Sequence, residues 1–170
     1  MFAKGDMIIH PIHGVCKVES VGMIKISGKN RERIYYTLLP EFEKDSKIYS
    51  AIDSDKLELR AVISKEVANR LIESIPDIKP FELEDEKEKE RLYKEALHRG
   101  NCKEIMQIIK AINIGKESRN INGKKIAAID KKYLNLFQEH IDGELAISLG
   151  IPKENVKSYI TEVMKRTKGK

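Results

Sequence analysis

His10, His13 and Cys16 are the residues whose types and spacing could do chemistry in this 170-residue chain. They lie in the stretch GDMIIHPIHGVCKV, residues 5 to 18. Imidazole and thiolate are zinc ligands, a thiol beside an imidazole can be a nucleophile with its base, and a Pro-x-His-Gly run can simply turn a chain. A tetrahedral zinc site needs three or four converging ligands, usually from paired short spacings. Here Pro11 falls between the two histidines, the other histidines (His98 and His140) lie in a distant half, and no CxxC accompanies them. A Cys–His nucleophile needs a third orienting group and a pocket, and Cys16 beside Val15 signals neither. The turn explains more of the residues. Pro11 removes a donor and ends a strand, and Gly14 supplies a backbone conformation closed to other residues. His13 between them can hydrogen-bond a turn carbonyl. The expectation is a corner between strands, with no catalytic residue, metal or cofactor.

The elements that hold this corner fall into two sets with different periods. Met7-Ile8-Ile9, the alternating run Gly14 to Val21, the aromatic and β-branched run Arg33 to Leu39, Ser46 to Ser50, and Lys56 to Leu59 read as short strands. Turn residues separate them at 11–14, 27–30 and 40–45. Short strands joined by tight turns over about sixty residues predict a small, bent sheet or barrel of the SH3 or Tudor type. After Ser64, a plausible N-cap, the period becomes helical, with Val67, Leu71, Ile72 and Ile75 on one face. Pro76 and Pro80 then interrupt it. A charged helix is predicted from near Glu82 to Gly100, and Asn101 with Glu104 has capping-box spacing for the next, with Ile105, Ile108, Ile109 and Ile112 inward. Residues 114 to 122 read as a polar loop. A helix from about Ala127 to Leu149 buries Ile129, Tyr133, Leu136, Phe137 and Ile141, and a last one starts after Pro152. The fold class expected is α+β in two domains: a small β domain over 1–62 and a compact all-α domain over 63–170.

Composition narrows the class without naming a function. No run of eighteen apolar residues exists, so no membrane span is predicted, and the N-terminus lacks the apolar block of a usual signal peptide. Two distant cysteines in a cysteine-poor chain suit a reduced, cytoplasmic protein. The net charge of +5 permits nucleic-acid contact through a local patch but does not demand it. No Gly-rich phosphate loop or paired carboxylate site appears, so an enzyme is not expected.

The corner also carries a resemblance. Gly5-Asp6, an aliphatic run, Pro11-x-His13-Gly14 and Val18 resemble the opening of the CarD (CdnL) family of bacterial transcription regulators and of the RNA-polymerase-interacting domain of transcription-repair coupling factors. Asp53 with Leu59-Arg60, Ala96 to Asn101, and Gly143-Glu144-Leu145-Ala146 extend the likeness into the helical half. The resemblance implies a Tudor-like domain that binds the RNA polymerase β subunit and a helical domain that touches promoter DNA without reading its sequence. It implies one chain per polymerase, so a monomer. It also implies candidate polymerase contacts at Lys25, Arg33, Lys47 and Tyr49. Candidate phosphate contacts are Arg91, Lys94 and Arg99 on the charged helix and Lys124, Lys125, Lys131 and Lys132 around the start of the long one. The position of the family's minor-groove tryptophan falls at about Glu86, and the chain has no tryptophan. The implied function is modulation of open-complex stability; the alternative is an adaptor that docks on polymerase with little direct effect on melting.

Overall fold

Ile8, Cys16, Val18, Tyr36 and Leu38 are apolar positions that a pleated sheet can turn to one side, and they form a single buried cluster. The structure, a computed structural model, describes residues 1–24, 33–54, 58–82 and 85–169. It divides into two units, Met1–Val62 and Ile63–Lys170. Among the described residues the first unit holds strands β1 (Met7–His10), β2 (Gly14–Ile24), β3 (Arg33–Pro40), β4 (Ile48–Ala51) and β5 (Arg60–Ala61). They make one antiparallel sheet in the order β4-β3-β2-β1-β5.

Register explains which residues reach the core. Ile8 lies opposite Cys16 and Val18 opposite Leu38, so these pairs share a face. Beyond Val18 the register shifts: Ser20 pairs with Thr37 and Val21 with Tyr36. Glu19 is the extra residue of a β-bulge, and it puts Val21, three residues from Val18, opposite Tyr36, where it is nonetheless exposed. A bulge of this kind also bends and twists the strand.

The β1–β2 corner is held by His10 rather than by His13. The His10 ring is buried, and its Nδ1 accepts hydrogen bonds from the backbone N–H groups of Ile12 (3.2 Å) and His13 (3.3 Å). Gly14 closes the turn at φ 65°, in the left-handed region. The His13 ring, expected to bond a turn carbonyl, instead faces Glu43, with Nδ1 3.6 Å from Oε2. The expected corner is therefore present, but His10, by accepting two N–H groups, holds it in place of His13. Cys16 is fully buried, and burial, aided by the negative charge of Glu43, pushes its thiol up to about 12. Such a thiol is not a nucleophile at neutral pH.

The second unit contains, among the described residues, helices α1 (Lys65–Glu73), α2 (Lys89–Arg99), α3 (Cys102–Ile121), α4 (Ala128–Leu149) and α5 (Val156–Lys168). Ser64 caps α1 by accepting from the Val67 N–H, and Asn101 caps α3 by accepting from the Glu104 N–H at 3.0 Å. Gly100 and Gly150 end α2 and α4 in the left-handed conformation. Ile72, Tyr93, Ile108, Phe137 and Leu145 are among the largest fully buried side chains of the common core, in which the Tyr93, Tyr133 and Phe137 rings pack on one another.

Two helix boundaries differ from the sequence-based expectation. Helix α2 starts at Lys89 and not near Glu82, because residues 86–88 form a turn that Asp85 opens by accepting from the Lys87 N–H. Helix α3 runs through Gly115 to Ile121, where a polar loop from 114 was expected. One interior glycine costs a helix only about 1 kcal/mol, and the upstream isoleucines already anchor α3 in the core. The stop comes at Asn122 and Gly123, where Asn122 bonds back to the Ser118 carbonyl and Gly123 takes φ 69°. Val67 and Leu136, expected inside, are partly exposed.

Glu144 is the polar residue that organises the start of the helical unit. It is buried on α4, where one carboxylate oxygen accepts the Ile63 N–H (3.1 Å) and the other the Cys102 S–H (3.0 Å). Glu144→Ala removes the acceptor that both groups share and should lower stability by about 2 to 3 kcal/mol in urea denaturation. An unchanged midpoint would show that the carboxylate holds nothing. A thiol-alkylating reagent at mildly alkaline pH should leave Cys16 unmodified in the native protein and modify it only after denaturant is added. Ready labelling of native Cys16 would contradict its burial.

Candidate functional site

Strand β4 lies at an edge of the sheet, and its register decides what that edge offers. The Ile52 N–H donates to the Ile34 carbonyl at 3.0 Å, which makes Ile34 and Ile52 a hydrogen-bonded pair. Bonded and non-bonded pairs alternate in an antiparallel ladder. Tyr36/Ser50 and Leu38/Ile48 are therefore bonded pairs, whereas Tyr35/Ala51 and Thr37/Tyr49 are not. The N–H and C=O of Tyr49 and the N–H of Ala51 thus point away from β3; the Ala51 carbonyl accepts the Ser54 N–H in a turn. An outward row of main-chain groups of this kind can take up a strand from another chain.

The same register gathers three of the candidate side chains. Arg33, Tyr35 and Thr37 of β3 lie with Tyr49 of β4 on the face opposite Tyr36 and Leu38. Lys47, two residues before Tyr49, is on that side too. Both cations have carboxylate partners: Lys47 Nζ is 2.9 Å from Glu19 and Arg33 Nε is 3.8 Å from Asp53. The hydrogen bond to Glu19 raises the Lys47 pKa. Tyr49 is 53% exposed, so its phenol ring is the large apolar feature beside the open edge. Lys25 lies outside the described residues.

In the helical unit the structure separates two groups of cations that look alike in sequence. On α2, Arg91 bridges Glu88 (2.6 Å) and Glu95 (2.7 Å), Lys94 meets Glu90 (3.1 Å), and Arg99 meets Glu104 (2.5 Å) and Glu95 (3.7 Å). Hydrogen bonds to these carboxylates raise the pKa of all three cations. The α2 surface is consequently charge-compensated. Lys124 and Lys125, which precede α4, and Lys131 and Lys132, on its first turns, are all exposed and have no salt bridge among the described residues. Lys132 Nζ lies 5.4 Å from the Tyr133 ring centroid. The N-cap of α4, Ala127, supplies no side-chain acceptor to the first turn. These lysines therefore surround a helix end whose own dipole also favours an anion.

An acid in that first turn would weaken the field, and sequence reasoning missed how it is withdrawn. Asp130 is buried, with one oxygen accepting the Tyr93 hydroxyl (2.9 Å) and the other 3.2 Å from Lys89 Nζ. Lys89 also meets Glu86 at 2.7 Å, and Arg119 approaches Glu86 at 3.9 Å. Burial, then the bond to Asp130, raises the Tyr93 hydroxyl well above the ordinary tyrosine range. Glu86, the residue at the tryptophan position of the resemblance, is thus bound into this cluster. A lysine inside an otherwise amphipathic helix, three residues from Glu86 and four from Tyr93, was the available signal.

Among the described residues no group of three or more His, Cys, Asp or Glu side chains could hold a metal ion, and no helix is long and apolar enough to cross a membrane. Comparison with curated proteins gives no match. Residues 2–63 match the family model described as the CarD-like/TRCF RID domain. The match covers all five strands, the His10 corner and the β4 edge, and it ends where the helical unit begins. Residues 2–63 of this chain are therefore a CarD-like/TRCF RID domain.

Proposed function

We propose that this chain is a non-enzymatic bacterial transcription regulator that docks on the β subunit of RNA polymerase through the β4 edge of its RID domain. The observation that carries the reading is the RID match over a sheet whose Tyr49 and Ala51 main-chain groups face outward. The bulged five-stranded sheet fits a Tudor-like domain. A polymerase strand pairs with β4, and Tyr49, Arg33 and Lys47 flank it. Arg33 and Lys47 exchange their carboxylate partners for polymerase groups at little cost, since exposed salt bridges contribute under about 1 kcal/mol each.

The helical unit then contacts promoter DNA through phosphates at Lys124, Lys125, Lys131 and Lys132, without base recognition. Weak intrinsic affinity suffices, because docking raises the effective concentration of these lysines near the DNA. Such a protein acts in the cytoplasm, as one chain per polymerase, and adjusts open-complex lifetime. Glu86 favours a second reading, an adaptor that docks on polymerase and leaves melting unchanged. A carboxylate cannot wedge between bases as an apolar ring does.

Ala51→Pro tests the edge, because it deletes an outward N–H at a position where an edge strand tolerates proline. The variant should fold as the wild type and lose retention on immobilised RNA polymerase; wild-type retention would refute strand pairing through β4. In an open-complex lifetime assay, Lys131→Glu with Lys132→Glu should abolish the effect of the protein. It should also flatten the salt dependence by roughly one unit of slope for each phosphate no longer neutralised. Arg91→Ala should act as the wild type. A wild-type protein that docks without altering lifetime selects the adaptor, and a double variant as active as the wild type contradicts the lysine surface.

A further inference from the structure

Glu86 is an exposed carboxylate that the chain brings to the lysine surface around the start of α4. Its Oε1 lies 2.7 Å from Lys89 Nζ and 3.9 Å from a terminal nitrogen of Arg119. Each of these cations leads to the lysine surface by a separate route. Lys89 is also 3.2 Å from Asp130, the neighbour of Lys131 in the first turn of α4. Arg119 stands near the end of α3, and its carbonyl accepts the Lys124 N–H at 2.8 Å. Glu86 is therefore tied to both segments that carry Lys124, Lys125, Lys131 and Lys132.

The other acids of the same stretch are engaged differently. Glu88 and Glu90 meet Arg91 (2.6 Å) and Lys94 (3.1 Å) of α2 itself, and Asp85 accepts the Lys87 N–H in a turn. Among the described residues, Glu86 alone of this group reaches a cation on α3. The two cations it holds are not equivalent. Lys89 is buried and keeps Asp130 as a second partner. The Arg119 side chain is 39% exposed, and Glu86 is its one salt-bridge partner among the described residues. A guanidinium presents a planar fork of donors that suits a phosphate as well as a carboxylate.

We infer that Glu86 is an internal phosphate mimic at the rim of the lysine surface, and that it masks Arg119, a further DNA contact. That role rests on the proposed contact of Lys124, Lys125, Lys131 and Lys132 with DNA. A phosphate that displaces Glu86 leaves Lys89 with Asp130 and takes Arg119 for itself. Displacing an exposed ion pair lowers affinity only a few-fold, so the mask tunes binding without abolishing it. It keeps the affinity of the free chain low, and the raised effective concentration after docking on polymerase supplies the rest.

The test is binding of the full chain to a fluorescein-labelled DNA duplex of arbitrary sequence, about 25 base pairs long, followed by anisotropy over a range of salt concentrations. Glu86→Gln removes the charge and keeps the shape at an exposed position. It should tighten binding about two- to fivefold at low salt and steepen the salt dependence by up to roughly one unit of slope, for one more phosphate neutralised. In an Arg119→Ala background the same change should lose most of that gain. No gain from Glu86→Gln, or an equal gain in both backgrounds, would overturn the masking of Arg119. Lys131→Glu with Lys132→Glu in the same assay separates the mimic from the surface it borders. If that variant loses binding while Glu86→Gln matches the wild type, the mimic is refuted and the lysine surface stands. If it binds as the wild type, both fall.

Discussion

The register between β3 and β4 is the constraint on which the RID domain's outward face depends. Because side chains and main-chain groups alternate along a strand, a slip of one residue would turn Tyr49 and Ala51 toward β3 and present Ser50 instead. It would also carry Ile48 and Ser50 of β4 away from the side of Leu38 and Tyr36 and turn Tyr49 toward the core. Burial of Ile48 and Ser50 therefore fixes which amides the sheet leaves outward, and side-chain burial and edge geometry are one constraint. The bulge at Glu19 belongs to the same arrangement. It resets β2 so that Val21 stays opposite Tyr36, and it places the carboxylate that meets Lys47.

A comparable economy governs the helical unit. Charge there is decided by which side chains are compensated rather than by how many are present. Burial of Asp130 beneath Tyr93 and Lys89 removes the one acid in the first turn of α4, leaving Lys131 and Lys132 outward with the helix dipole. Along α2, Glu88, Glu90 and Glu95 neutralise Arg91 and Lys94, and Glu95 shares Arg99 with Glu104. Two cation clusters of similar composition thus differ in what they can give a phosphate.

Much of the fold was legible because period and turn chemistry are local. The first four strand runs, the Ser64 and Asn101 caps and the Gly100 and Gly150 stops all rest on residues within a few positions of each other. The run expected over Lys56 to Leu59, by contrast, has no strand at Glu58 or Leu59, and β5 is Arg60–Ala61. What escaped depends on contacts across sequence. Nothing near His10 distinguishes it from His13; its place under the turn follows from the pairing of β1 with β2. Gly115 looked like a loop edge because the isoleucines that stabilise α3 lie several residues upstream. The candidate site was legible as residue types only. Ion pairing, which separates Arg91 from Lys131, and the outward amides of β4 need partners that the local sequence does not reveal. The buried partners of Glu144, at Ile63 and Cys102, are equally remote from it in the chain.

The most direct measurement is hydrogen–deuterium exchange of the full chain with and without RNA polymerase, resolved to the amides of β4. Strand pairing requires the Tyr49 and Ala51 amides, which face outward in the unbound chain, to become strongly protected in the complex. The Ser50 and Ile52 amides, already directed at β3, should change little. Protection elsewhere in the chain with Tyr49 and Ala51 exchanging as before would contradict docking through this edge.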